Sequence, residues 1–144
     1  SGIGKTHLAT RIHDRMKRKR DGERIITPTR WSSFIVRKIK WRTFVDEIMG
    51  GNWRITAWLI EPHFLYVDEI GDEAVGTREI VFSKFGNVCD ARLGKWTLFT
   101  GNQSLENIAS IDARVASRML RQGNVVVDAG DRVQDYALRQ LNSK

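Results

Sequence analysis

The chain has 144 residues, 41% hydrophobic and 28% charged, with a formal net charge of +7. That composition excludes disorder, and the length suits one domain that buries roughly two-thirds of its unfolded surface. No apolar run approaches the ~20 residues of a membrane span, no signal peptide is visible at the Gly-rich start, and the single Cys89 excludes an internal disulfide or a cysteine-rich zinc knuckle.

A cytoplasmic protein is therefore expected. The basic balance favours an anionic partner, nucleic acid being the commonest, over a merely lysine-rich soluble surface.

Thr6 to about Arg20 predicts a helix, with Leu8, Ile12 and Met16 as an apolar stripe and a basic run at its end, stopped by Asp21-Gly22. Arg24 to Pro28 (RIITP) predicts a short strand. The Trp- and Lys-rich segment from Arg30 to Gly51 predicts two short helices, and a further one follows near Trp53 to Leu59. Phe64 to Val67 (FLYV) is apolar on both faces, as in a strand covered by helices on each side. Gly76 to Leu93 predicts a helix with Val81, Phe85, Val88 and Cys89 on one face. Lys95 to Thr100 (KWTLFT) predicts a strand, Ser104 to Arg121 a helix broken near Ser110, and Val125 to Val127 a last strand. The tail from Arg132 to Leu141 predicts a short helix or strand. Alternating strands and helices imply one α/β domain with a mostly parallel sheet.

The first ten residues, SGIGKTHLAT, contain the second half of a Walker A loop, G-x-x-x-x-G-K-[ST]. Backbone N–H groups around Ser1, Gly2, Ile3, Gly4 and Lys5 suit phosphate oxygens, helped by the helix N-terminus that follows. Lys5 is placed to reach the β- and γ-phosphates of ATP, and the Thr6 hydroxyl to bind Mg²⁺. The bland reading of G-x-G-K-T is a Gly-rich helix start. The loop's first Gly and the strand that delivers it would lie before Ser1. In this fold that strand is interior to the sheet, so the chain alone is expected to be weakly stable or to bind ATP poorly.

FLYVDEIGDE, Phe64 to Glu73, is a Walker B pattern: Asp68 for Mg²⁺ through water, Glu69 as the general base that polarises an attacking water. Asn102, after KWTLFT and Gly101, is either a γ-phosphate contact or a turn-former. Arg114 and Arg118, four apart in IDARVASRML, share a helix face that is either solvated or aimed at a neighbouring subunit's nucleotide.

SGIGKTHLA, FLYVDEIGDE, TLFTGN and DARVASRML, in this order, resemble the AAA+ ATPases of the DnaC-like helicase-loader and IstB-like group, relatives of the DnaA initiator. The resemblance implies a P-loop NTPase (AAA+/RecA-like) three-layer α/β sandwich whose first, P-loop strand is missing from this chain. It makes Asn102 the sensor-1 residue and Arg118 the arginine finger, supported by Arg114. It implies ATP and Mg²⁺ as cofactors, homo-oligomers joined through the arginine finger, single-stranded DNA and a replicative helicase as partners, and no membrane. The DNA candidates are Trp31, Arg37, Lys38, Lys40, Trp41 and Arg42, where rings for bases alternate with cations for phosphates. Both Trp residues have the alternative of lying in the core. Three functions stay open: a helicase-loading ATPase, an IstB-like transposition helper acting on duplex DNA, and a nucleotide- or DNA-binding module without hydrolysis.

Overall fold

The computed structural model describes residues 4–21, 34–71, 75–121 and 124–127. The expected strand at Arg24–Pro28, the tail from Arg132, and the site candidates Ser1, Gly2, Ile3 and Trp31 lie outside the described residues.

Among the described residues three parallel strands form the sheet, in the order β1 (Val36–Lys40), β2 (Phe64–Ile70), β3 (Trp96–Gly101). Parallel neighbours need crossover connections, and helices supply them. Helices α2 (Trp41–Met49) and α3 (Arg54–Ile60) link β1 to β2, and α4 (Arg78–Ala91) links β2 to β3. Helix α1 (Lys5–Asp21) precedes the sheet, and α5 (Leu105–Ile111) and α6 (Ala113–Met119) follow it. No helix among the described residues is long and apolar enough to cross a membrane.

Strand periodicity sorts the core onto two faces. Phe64 and Tyr66 of β2 pack against Ala9 of α1 on one side. Leu65 and Val67 face the other, larger cluster, built from Trp41, Phe44, Leu59, Val81, Phe82, Phe85 and Val115. Helices thus cover both faces of the sheet, which explains why β2 is buried from Phe64 through Asp68.

The structure differs from the sequence expectation at Val36–Lys40, at Leu8 and at Val125–Val127. Val36–Lys40 is a strand, not a helix: its β-branched Val36 and Ile39 suit a pleated ladder, and pairing from Val36↔Phe64 to Lys40↔Asp68 fixes it. Helix α1 does not bury Leu8, which is 64% exposed; the small Ala9, 3% exposed, is what lets this helix approach the sheet. The break expected near Ser110 is present, at Asp112, whose carboxylate accepts the backbone N–H groups of Arg114 (2.9 Å) and Val115 (3.4 Å) and caps α6. Residues 124–127 form no strand, and their three valines are exposed.

Candidate nucleotide-phosphate site

In parallel α/β sheets, the carboxyl ends of the strands are where functional groups converge. Here the carboxyl ends of β2 and β3 meet the start of α1. Gly4 sits at φ +83°, a left-handed conformation natural to glycine, and a Cβ placed there would meet none of the described residues within 4 Å. The chain thus turns into α1 beside an open space.

Two contacts join α1 to the strand ends. Lys5 Nζ donates to Asn102 Oδ1 at 2.7 Å, across 97 residues of sequence. The Thr6 hydroxyl donates to Asp68 Oδ1 at 3.2 Å, across 62. Four residues singled out for phosphate and Mg²⁺ chemistry, Lys5, Thr6, Asp68 and Asn102, are therefore brought together. Glu69 is adjacent and exposed.

Asp68 is 1% exposed and densely bonded. Its Oδ1 accepts the hydroxyls of Tyr66 and Thr100, each at 2.6 Å, besides that of Thr6. Burial alone would raise its pKa. The hydrogen bonds from Thr100 and Tyr66, the Lys38 ammonium and the Thr6 hydroxyl outweigh burial and hold the carboxyl below its ordinary value. Burial and the neighbouring carboxylate push the Tyr66 phenol up to about 12, so it stays a donor.

The backbone is strained at this point. Glu69 has φ +63°, a left-handed conformation that costs a non-glycine residue on the order of 1–2 kcal/mol. The ladder with β3 is irregular between Val67 and Ile70, so Asp68 and Glu69 lie at a break in the pairing with β3. The Glu69 N–H donates to Thr100 Oγ1 at 3.2 Å. One hydroxyl, on Thr100, thus fixes both the Asp68 carboxylate and the Glu69 backbone.

Sequence reasoning missed Tyr66 and Thr100. A signal existed: each lies two residues before a predicted site residue on its strand, and a period of two places them on the same face.

Other predicted residues lie elsewhere. Arg114 is paired with its helix cap, Nη2 to Asp112 Oδ2 at 3.2 Å. Arg118 pairs with Asp90 of α4, Nη2 donating to Oδ2 at 2.6 Å and Nε to Oδ1. Neither joins the Lys5–Asp68 cluster within this chain. Nearby is a cavity of about 560 Å³, lined by residues including Phe99, Ile108, Arg118 and Val126; of the strand-end residues it includes Thr100 and Gly101 but not Lys5, Thr6 or Asp68.

The DNA candidates also separate. Trp41 is fully buried, its ring packed against Phe44, Phe82 and Phe85, and it has no face to offer a base. Trp41 is a core residue and not a DNA contact. Arg37 pairs with Glu61 (2.5 Å) and stacks on Trp58, while Lys38 turns to Asp68. Lys40 and Arg42 are exposed. Among the described tryptophans the outward-facing rings are instead Trp96, Trp53 and Trp58; of these, Trp53, 51% exposed, has Lys84 above it at 4.7 Å, and Trp58, 38% exposed, lies beneath Arg37 at 4.7 Å.

Among the described residues no three His, Cys, Asp or Glu side chains gather as a metal cluster. Mg²⁺ does not need one, because it usually keeps several waters and takes one or two protein ligands plus phosphate oxygens. Thr6 and Asp68 fit that role. No protein-family model matches the chain, and neither a curated protein nor a solved structure does.

Proposed function

We propose that this chain is an ATP-binding and ATP-hydrolysing domain of the AAA+ type, acting in DNA replication as a helicase loader. The observation that carries the nucleotide reading is the meeting of Lys5 with Asn102 and of Thr6 with Asp68, four polar residues drawn from three distant segments to one end of a parallel sheet. A Gly-rich helix start with no ligand would have no reason to gather them.

In this reading Lys5 and the backbone around Gly4 bind the β- and γ-phosphates. Thr6 and Asp68 hold Mg²⁺, which when bound neutralises charge on the phosphate oxygens. Asn102 orients the γ-phosphate. Glu69, held by the Thr100 hydroxyl at its backbone N–H, takes a proton from the attacking water. Arg118 serves a neighbouring subunit. The loader role rests on the resemblance of the four motifs to helicase loaders; the +7 charge and the exposed, cation-backed Trp53 and Trp58 support a nucleic-acid partner.

Titration of a fluorescent ATP analogue with Mg²⁺ tests the site. Lys5→Ala should abolish binding, and Glu69→Gln should retain binding while turnover falls by about 10²–10⁴-fold. Binding that ignores Lys5 would refute the nucleotide reading. Anisotropy with labelled single-stranded and duplex DNA, with and without ATP–Mg²⁺, tests the role. Single-strand binding that depends on ATP is expected. Binding only to duplex would favour a transposition helper.

A further inference from the structure

Lys38 has an unusual place. It sits on β1 in register with Tyr66, on the face that packs against α1. Its Nζ donates to Thr10 Oγ1 at 3.1 Å, lies 4.8 Å from the centre of the Tyr66 ring, and stands 3.7 Å from Asp68 Oδ2. The two carboxylate oxygens of Asp68 are therefore used differently. Oδ1 is filled by three hydroxyl donors. Oδ2 faces the ammonium at a distance beyond a hydrogen bond. The position Asp68 keeps available to a cation is the one Lys38 overlooks.

We infer that Lys38 is the resident counter-ion of Asp68 and competes with a divalent cation for it, so that the metal enters only together with phosphate. The inference rests on the reading of Asp68 as a Mg²⁺ residue. A buried carboxylate needs a neutralising charge in the absence of metal, and Lys38 supplies it. A doubly charged ion near Oδ2 would repel the ammonium a few ångströms away, in a site that water screens poorly. Bound phosphates, being polyanionic, offset that repulsion and let the metal enter while the ammonium moves off Asp68. Thr10 and the face of the Tyr66 ring provide Lys38 with a resting place that needs no second carboxylate. Lys38 is thus a positioning residue that sets the order of binding, rather than a catalytic one.

The test measures Mn²⁺ binding to the nucleotide-free protein by loss of the free-ion paramagnetic resonance signal. Lys38→Met, similar in shape and uncharged, should bind Mn²⁺ about tenfold or more tightly than wild type, a gain sized from charge repulsion at this range. The gain should vanish in the Lys38→Met/Asp68→Asn double variant, and Lys38→Arg should stay near wild type. Unchanged or weaker Mn²⁺ binding by Lys38→Met would overturn the inference. Should that variant fail to fold, the wild type gives a second readout. ATP–Mn²⁺ should raise the acetic-anhydride labelling of Lys38 severalfold over ATP alone, read by mass spectrometry; labelling that is unchanged or reduced overturns the inference equally. The two readings fail separately. Absent ATP binding with tightened Mn²⁺ in Lys38→Met would remove the nucleotide reading and leave the competition. Normal ATP binding with unchanged Mn²⁺ affinity would do the reverse.

Discussion

Arg118 of α6 and Asp90 of α4 form a two-point ion pair, Nε to Oδ1 and Nη2 to Oδ2. The Arg118 guanidinium holds the Asp90 carboxyl below its ordinary range. The arginine that the motif order assigns to a neighbour's nucleotide is engaged at home. Its side chain is 18% exposed and that of Asp90 41%, so the pair borders solvent and its charges are screened. If Arg118 acts in trans it must leave Asp90. Arg118→Ala should then reduce ATP turnover by about 10³-fold or more while nucleotide binding persists. Asp90→Ala should lower the protein concentration at which turnover reaches half its maximum. Equal losses of thermal stability in both variants, with turnover per folded molecule unchanged, would make the pair a fastener between α4 and α6 and nothing else.

The Asp68 cluster predicts an acid dependence with a definite sign. The Asp68 pKa is lowered on folding from an ordinary value of 3.8, so the folded state favours the charged form. Its contribution to stability is complete above that value and is lost as pH falls through the lowered one. Asp68→Asn removes the charged acceptor of three hydroxyls and should cost about 2 kcal/mol at pH 7 by urea unfolding. The gap between the variant and wild type should narrow as the pH drops below 3.8. A gap constant from pH 7 to 3 would mean that the carboxylate charge does nothing for the fold.

The strand ends were legible because the chemistry and the fold agree there. Four apolar residues before Asp68 mark a strand covered on both faces, and Asn102 closes the strand-like stretch KWTLFT after Gly101. Val36–Lys40 was not legible. Its alternation of Val36, Lys38 and Lys40 with Arg37 and Ile39 gives no apolar face, because Lys38 is drawn inward by Asp68 and not by hydrophobicity. Burial of the tryptophans was equally closed to inspection. Trp41 and Trp53 both lie among cationic residues, and only the tertiary packing of α2 against α4 separates a core ring from a surface one.

That separation has a consequence for DNA binding. Trp53 and Trp58 each carry a cation over the ring and expose part of their surface, the combination that base stacking with phosphate contact requires. Trp53→Ala and Trp58→Ala should each weaken single-stranded DNA binding by ~1–3 kcal/mol, about five- to a hundredfold in Kd, with little change in melting temperature. Trp41→Ala should do the opposite: lose about 3–5 kcal/mol of stability through the cavity it leaves, with no selective effect on DNA among molecules that remain folded. Anisotropy titrations beside thermal melts of the three variants would decide. A surface variant that binds DNA as wild type does would exclude that ring from the contact.

The far end of the sheet is held by one buried cation. Arg92, 4% exposed, follows α4 and donates to the carbonyls of Leu59 (2.9 Å), Pro62 (2.8 Å) and Trp96 (2.7 Å) and to the Thr97 hydroxyl (3.0 Å). These acceptors lie in the last turn of α3, at Pro62 just before β2, and on the first two residues of β3. Burial lowers the Arg92 pKa to about 10, so it remains charged at neutral pH. The planar fork spreads its donors over acceptors from three segments at once, a wider span than the single nitrogen of a lysine covers. Arg92→Met would keep the apolar stem and strand these oxygens without a donor. A loss of about 3 kcal/mol or more in denaturant midpoint measurements is expected, and Arg92→Lys should recover only part of it. The acceptors lie around the strand entrances and the Lys5–Asp68 cluster at the exits, so the proposed site predicts that the folded fraction of either variant binds ATP with wild-type affinity. Loss of affinity in step with stability would show that the two ends of the sheet are not independent.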